Sequence, residues 1–362
     1  MRILQIINSL NTGGAEKLIL DTVPLYNKKG VVVDVLVFQN NDYPFHEKLL
    51  GTQTCKIYNL NVKSVYNPVS VFKMIRILKK YDIAHVHLFP AQYFVVLAKM
   101  LSFSKVKLVF TEHSTNNKRL QNKFFKAIDK WIYFFYTKII AISNNIEAIL
   151  KAHTGLNNQR IIVIENGVDV QQIMEAVSMD KTSIDKKISV TDTLILMVAG
   201  FKIPKDQETL IKAMVLLPQN VKLILAGDGP MKEKCVDLAI ELGVAARVIF
   251  AGVRSDVPSL LKTVDLIVLS SNYEGMSLSC IEGMASGKPF LATDVPGLQE
   301  LVSGYGVLFE CGNVQDFANK ITQFLTDEAY YNTVASACES RAKDFDIEQM
   351  IERHISLYKN II

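Results

Sequence analysis

The stretch Ser270-Ser271-Asn272-Tyr273-Glu274-Gly275-Met276-Ser277-Leu278-Ser279-Cys280-Ile281-Glu282-Gly283-Met284-Ala285-Ser286-Gly287-Lys288-Pro289 decides how the rest of the chain is read. An apolar run, residues 266–269, stands before it, and another, residues 290–293, follows. Both runs are continuous rather than alternating, as strands covered on both faces of a parallel sheet are. Between them lie a polar turn containing Gly275 and an amphipathic helix opening near Ser277. Strand, turn, helix and strand in that order make one unit of a parallel α/β sheet.

The same grammar extends in both directions. Aliphatic runs at 194–198, 221–226, 248–250 and 307–309 complete one series, with helical patterns at 207–216, 231–242, 278–286, 314–325 and 328–343. An earlier series has runs at 3–7, 31–38, 83–88, 108–111, 139–142 and 161–164, and helical patterns at 15–26, 68–80, 92–101, 121–136 and 145–153. Residues 170–192, charged and poor in aromatics, read as a linker. The expected architecture is two doubly wound, Rossmann-like domains, 1–175 and 190–345, facing across a cleft. A C-terminal helix, 346–362, crosses back to the first, with Ile347, Met350, Ile351, Ile355 and Tyr358 on its buried face. Such sheets bind ligands beyond the carboxyl ends of their strands, so the residues just after each strand, lining that cleft, are the ones to inspect.

Composition fits a soluble globular enzyme: of 362 residues, 49% are hydrophobic and 21% charged. The apolar start ends in a polar turn by residue 8, which is no secretory leader. No apolar run is long enough to span a bilayer. A cytoplasmic location is therefore expected. Five scattered cysteines, Cys55, Cys235, Cys280, Cys311 and Cys338, suggest neither a disulfide framework nor a zinc site. Charge is uneven. Residues 1–180 hold 22 Lys and Arg against 13 Asp and Glu, +9; residues 181–362 hold 18 against 23, −5. A basic first half suits an anionic partner or is simply a solvated surface.

Several segments carry chemistry. Asn11-Thr12-Gly13-Gly14-Ala15-Glu16 follows the first strand, and paired glycines at a helix start allow a phosphate to approach the backbone. A structural turn explains them equally well. His113, in Thr111-Glu112-His113-Ser114, ends a strand where it can donate to a sugar hydroxyl or phosphate oxygen, although a lone histidine is more often structural. His85 and His87 share one strand face and read better as buried hydrogen-bonded residues than as metal ligands, since no third ligand is apparent. Glu274 and Glu282 bracket a turn whose amides, Gly275, Met276, Ser277 and Leu278, can receive a diphosphate or sugar hydroxyls. The plainer reading is two surface glutamates at a helix start. Asp344-Phe345-Asp346, the one Asp-x-Asp, falls in a late helical region and reads as structural.

The pattern Ser-Ser-x-x-Glu-Gly-x-x-Leu-x-x-x-Glu-x-Met-Ala-x-Gly-Lys-Pro, with Asp294-Val295-Pro296-Gly297 after the next strand, closely resembles the family 4 retaining glycosyltransferases of the GT-B fold. The resemblance includes Gly13-Gly14, His113, Asn166-Gly167-Val168-Asp169, Gly227-Asp228-Gly229-Pro230 and Gly252-Val253-Arg254-Ser255-Asp256, and so covers nearly the whole chain. It implies a metal-independent hexosyltransferase-type enzyme without a cofactor. The enzyme moves a sugar from a nucleotide-diphosphate donor to a glycan or polyprenyl-diphosphate-linked saccharide, in bacterial surface polysaccharide synthesis. Position by position, it implies a donor-sugar contact at His113 and a phosphate-binding lysine at Lys205. Glu274 would hold the sugar, Gly275 to Leu278 the phosphate and Glu282 the ribose hydroxyls, with Arg254 along the base. Gly13 and Gly14 would let the first, acceptor-binding domain close on the diphosphate and acceptor. One position departs: where the family has arginine, this chain has Gly200, and Lys202 is the candidate replacement. The alternatives are a nucleotide-sugar epimerase of the same fold and a catalytically inactive carbohydrate-binding protein. Arg119, Lys123, Lys126, Lys130 and Lys138, set among Phe124, Phe125, Trp131, Tyr133, Phe134, Phe135 and Tyr136, suit either an anionic membrane surface or a core helix with solvated lysines.

Overall fold

The aliphatic runs become strands with nearly every side chain buried. The structure is a computed structural model that describes residues 1–40, 42–113, 123–157 and 159–362. It divides into two compact units, Met1–Gly167 with Ile347–Ile362, and Val168–Asp346.

In the first unit seven parallel strands, β1 (Arg2–Ile7), β2 (Val32–Val37), β3 (Ile57–Asn59), β4 (Ile83–His87), β5 (Lys107–Glu112), β6 (Lys138–Ala141) and β7 (Ile161–Val163), lie in the order β3-β2-β1-β4-β5-β6-β7. The direction of winding reverses between β1 and β4, the place where open α/β sheets bind ligands. In the second unit β8 (Thr193–Val198), β9 (Val221–Ala226), β10 (Val248–Gly252), β11 (Leu266–Leu269), β12 (Phe290–Thr293) and β13 (Val307–Phe309) lie in the order β10-β9-β8-β11-β12-β13, all parallel. Here the reversal falls between β8 and β11. Two parallel-sheet α/β units of this kind are the GT-B fold.

The presumed linker is not free chain. Asp169 caps a short helix, Val170–Met174, by accepting from Gln172 N–H at 2.8 Å. Met179 N–H donates to Thr263 Oγ1 at 2.8 Å, and Lys181 pairs with Asp265 at 2.7 Å. These bonds fasten the segment to the second unit, so the change of unit comes earlier, at Gly167–Val168. The C-terminal helix Ile347–Lys359 belongs to the first unit. Its buried face keeps Ile347, Met350, Ile351 and Tyr358 but takes His354 and Leu357, leaving Ile355 half-buried. Asp344 and Asp346 are structural: Asp344 pairs with Arg341, and Asp346 forms a parallel bridge with Val168. Cys235, Cys280 and Cys338 are buried, and all five cysteines are unbridged.

Candidate active site

In the second unit, the loops after β8 and β11 meet at the switch point. Lys205 and Ser271 form an isolated antiparallel bridge, Asp206 N–H donates to Ser270 C=O at 3.1 Å, and Asn272 N–H donates to Pro204 C=O at 2.9 Å. These backbone bonds bring Lys205 Nζ into a close ion pair with Glu274 Oε1, which also accepts from Ser271 Oγ at 2.8 Å. The paired side chains are only 12% and 13% exposed. Asp206 caps the following helix, Gln207–Ala213, through Thr209 N–H, which fixes where the Lys205 loop ends.

Glu274 leads into a turn whose side chains anchor it: Met276, Ser277 and Leu278 are buried. Ile281 N–H bonds to Ser277 C=O at 3.3 Å, so the amides just before Ile281 lie ahead of the helical ladder. Gly297, at φ +88, lies against this turn so closely that a Cβ would sit 2.4 Å from Gly275 C=O and 2.6 Å from Glu274 C=O. Glu282, 8% exposed, sits in the helix Leu278–Met284. The surface reading of the two glutamates is therefore excluded, because neither carboxylate is on the surface.

Around β8 a second contact shapes the site. Gly227, at φ +148, lies on Ala199 C=O, where a Cβ would be 2.1 Å away. Gly200 has room: a Cβ there would meet Asp228 C=O at 3.4 Å and the Lys202 side chain, Cε at 3.6 Å and Cδ at 3.9 Å. The exposed Lys202 stem thus runs past the point where a side chain at position 200 would begin. Arg254 stands apart. It follows β10, the edge strand two places from β8, and its guanidinium grips Asp256 through Nε at 2.8 Å and Nη2 at 2.6 Å. Pairing with Arg254 draws the Asp256 carboxyl below the usual carboxylate range, and among the described residues the Arg254 guanidinium bonds Asp256 alone.

In the first unit, Gly13 and Gly14 open the helix Gly14–Lys28. Nothing lies within 4 Å of a Cβ on Gly14, while the Glu16 carboxylate folds over Gly13. Beside β1, β4 and β5 is a cavity of about 20 Å³, room for a single water molecule, lined in part by Gln5, His85, His87, His113, Asn166 and His354. His85 spends both ring nitrogens on Tyr358 OH and Thr111 Oγ1, each at 2.6 Å. His87 bonds His113 at 2.9 Å and Gln5 at 2.7 Å. The metal reading of His85 and His87 leaves no nitrogen to bind with. Burial holds His113 down at about 4 and His354 at about 3, and burial followed by the neighbouring histidines pushes His85 and His87 well below the ordinary value.

The family model described as "Glycosyl transferases group 1" matches residues 178–343, and that described as "Glycosyltransferase Family 4" matches residues 12–172. The chain belongs to the group 1 and family 4 glycosyltransferases. Among its relatives is the Escherichia coli UDP-Gal:alpha-D-GlcNAc-diphosphoundecaprenol alpha-1,3-galactosyltransferase, 25% identical over 83% of this chain and 81% of that one. Another is the Campylobacter jejuni N-acetylgalactosamine-N,N'-diacetylbacillosaminyl-diphospho-undecaprenol 4-alpha-N-acetylgalactosaminyltransferase, 25% identical over 94% of both. In fold the chain is similar to Anabaena Alr3699/HepE in complex with UDP-glucose, with a TM-score of 0.87 at 23% identity, covering 99% of this chain and all of that one. Both named relatives are transferases, and nothing in these comparisons favours the epimerase or the inactive protein.

Within this glycosyltransferase, Lys205, Glu274 and the Gly275–Leu278 turn are joined in one place, and Lys202 is on the same loop as Lys205. Sequence reasoning missed Ser271, Gln5, Tyr358 and His354. Ser271 follows β11, where inspection of every strand end would have found it; Gln5 lies within β1, and the other two sit on the tail helix.

The histidine cluster makes stability acid-sensitive. Above about pH 6.5 the histidines are neutral in both folded and unfolded chains, and they contribute no slope. Below it the unfolded chain takes up protons that the buried rings refuse, so stability falls with falling pH, for His354 until about 3. His354 alone loses about 2 kcal/mol by pH 5. Denaturation midpoints measured between about pH 7.5 and pH 5 should decline steadily, whereas a flat profile contradicts a neutral cluster.

Proposed function

We propose that the protein is a retaining transferase. It moves a sugar from a nucleoside-diphosphate donor to a polyprenyl-diphosphate-linked saccharide or glycan, in surface polysaccharide synthesis, and needs neither metal nor cofactor. The observation that carries the reading is the Lys205–Glu274 pair, set at the switch point of the second sheet and held there by the backbone. The lipid-linked acceptors named for both relatives support the acceptor class.

The chemistry follows from charge. As the bond between the sugar's anomeric carbon and the β-phosphate oxygen breaks, negative charge gathers on that oxygen and positive charge on the sugar. Lys205 and the amides of the Gly275–Leu278 turn stabilise the first. Glu274 holds hydroxyls of the second. An acceptor hydroxyl then bonds to the anomeric carbon from the face the phosphate leaves, and its proton passes to the departing phosphate oxygen, so no protein base is required. Glu282 takes the ribose hydroxyls, Lys202 supplies the second cation for the diphosphate in place of the family's arginine, and Gly13 and Gly14 let a phosphate-bearing ligand approach the first unit.

The first unit also carries an apolar and basic surface suited to an anionic membrane. On the helix Lys123–Phe134, Trp131 is 47% and Phe134 62% exposed beside exposed Lys126 and Lys130, while Tyr133 is fully buried. Phe103, just after the neighbouring helix Ala91–Ser102, is 93% exposed. Tyr136 is buried, Phe125 and Phe135 are half-buried, and Lys138 bonds Gln159 C=O. Arg119 and the side chains of Lys123 and Phe124 lie outside the described residues. Among those residues no helix is long and apolar enough to cross a membrane.

Three outcomes test the reading. Lys205→Ala and Glu274→Gln should each lower turnover by about 10²–10³ with the folded circular-dichroism spectrum kept, and turnover near normal in either removes that residue from the site. Lys202→Ala should weaken binding of a nucleoside diphosphate by about tenfold, and adding Gly200→Arg to it should restore binding. A Gly200→Arg/Lys202→Ala protein no better than Lys202→Ala dismisses Lys202 as the replacement. The protein should co-sediment with vesicles containing phosphatidylglycerol, less so as salt rises, and Phe103→Ser with Phe134→Ser should abolish it. Equal recovery with neutral vesicles ends the membrane assignment.

A further inference from the structure

The buried polar groups at the ends of β1, β4 and β5 form a hydrogen-bond chain that can be given one direction. Gln5 Oε1 lies 2.7 Å from His87 Nε2. An amide oxygen only accepts, so His87 carries its proton on Nε2. His87 is 6% exposed with no carboxylate among its bonded partners, and burial keeps it neutral. A neutral imidazole has one N–H, so His87 Nδ1 accepts. Its partner at 2.9 Å is His113 Nε2, which therefore donates. His113 is neutral for the same reason and is left with a bare Nδ1. No group among the described residues bonds to that atom.

The network reaches the tail of the chain: Tyr358 OH lies 2.6 Å from His85 Nδ1, and His85 Nε2 lies 2.6 Å from Thr111 Oγ1. Tyr358 sits on the C-terminal helix, and the His85 ring packs 4.4 Å, centroid to centroid, from that of His87.

We propose that Gln5 and His87 are positioning residues that fix His113 as a neutral hydrogen-bond acceptor, so that it recognises a sugar hydroxyl and not a phosphate or carboxylate oxygen. The inference rests on the glycosyltransferase reading above for its ligand, but the proton positions stand independently of it. A sugar lacking the recognised hydroxyl leaves His113 Nδ1 desolvated without a donor, which is how such a site rejects deoxy analogues. A cationic or N–H-presenting His113 would do the reverse.

Side-chain ¹⁵N–¹H correlation spectra of the wild-type protein near neutral pH should show His113 and His87 each protonated on Nε2 alone. An Nδ1–H or doubly protonated His113 overturns the proposal. Gln5→Glu places a carboxylate where only an acceptor is present, favouring a charged His87 whose Nδ1–H now donates to His113. That variant should show His113 with its proton moved to Nδ1 and kcat/KM lowered by at least about tenfold, with nucleoside-diphosphate affinity kept. An unmoved proton, or wild-type kcat/KM with the proton moved, refutes the relay. Wild-type protein that binds no nucleoside diphosphate counts instead against the proposed function and leaves the proton positions as measured.

Discussion

The pairing of Lys205 with Ser271 and Glu274 makes one body of two loops that leave neighbouring strands in the same direction. Backbone hydrogen bonds set the approach, and the ion pair sets where the two charged groups lie. An ion pair so nearly buried gains little net stability, because the desolvation of two charges consumes most of their attraction. In the proposed reaction its value is in preorganisation: a long lysine chain is already ordered before any ligand arrives, so its entropy is not lost during binding. The Asp206 cap behind it and the close contact of Gly297 with the following turn hold that arrangement in place.

The first unit solves a different problem. Its cavity is uncharged: imidazoles, a phenol, two hydroxyls and amides line it together with aliphatic side chains. The +9 of residues 1–180 therefore says nothing about that cavity. The lysines that create it, such as Lys126 and Lys130, are exposed on helix surfaces. A charge count is thus a statement about the outside of a domain and what it meets there, whereas the lining of its pocket has to be read from geometry.

Most of the fold was legible because a parallel sheet writes its strands as uninterrupted Val and Ile runs. The exceptions are instructive. β3, Ile57–Asn59, is three residues long, half-buried and at the sheet edge, so it lacks the aliphatic run that marks the others. The helix Pro44–Gly51 was announced only by Pro44 at its first turn. The 170–192 segment looked like linker because polar side chains dominate it, but those side chains are what tie it down. In the site, Lys205 and Glu274 were legible through a local motif. The Tyr358–His85 bond joins residues 273 positions apart, and no local pattern carries it. Arg254 shows the opposite limit: its motif was plain, yet an aspartate two residues on occupies its guanidinium.

Gly200 ties these points together. An arginine there would grip a diphosphate with a planar fork, fixing orientation as well as charge. Lys202 can return the charge, because its stem passes the same point, but an ammonium is a point charge and fixes no angle. In the proposed reaction, orientation of the diphosphate must then come from groups that cannot rotate. The amides of the turn from Gly275 to Leu278 meet that need. Buried Met276 and Leu278 hold the turn from within, and Gly297 presses on it from outside, so the direction of its N–H groups is set by packing. A chain that gives up the guanidinium thus depends more heavily on a glycine far along the sequence whose only chemistry is to have no side chain.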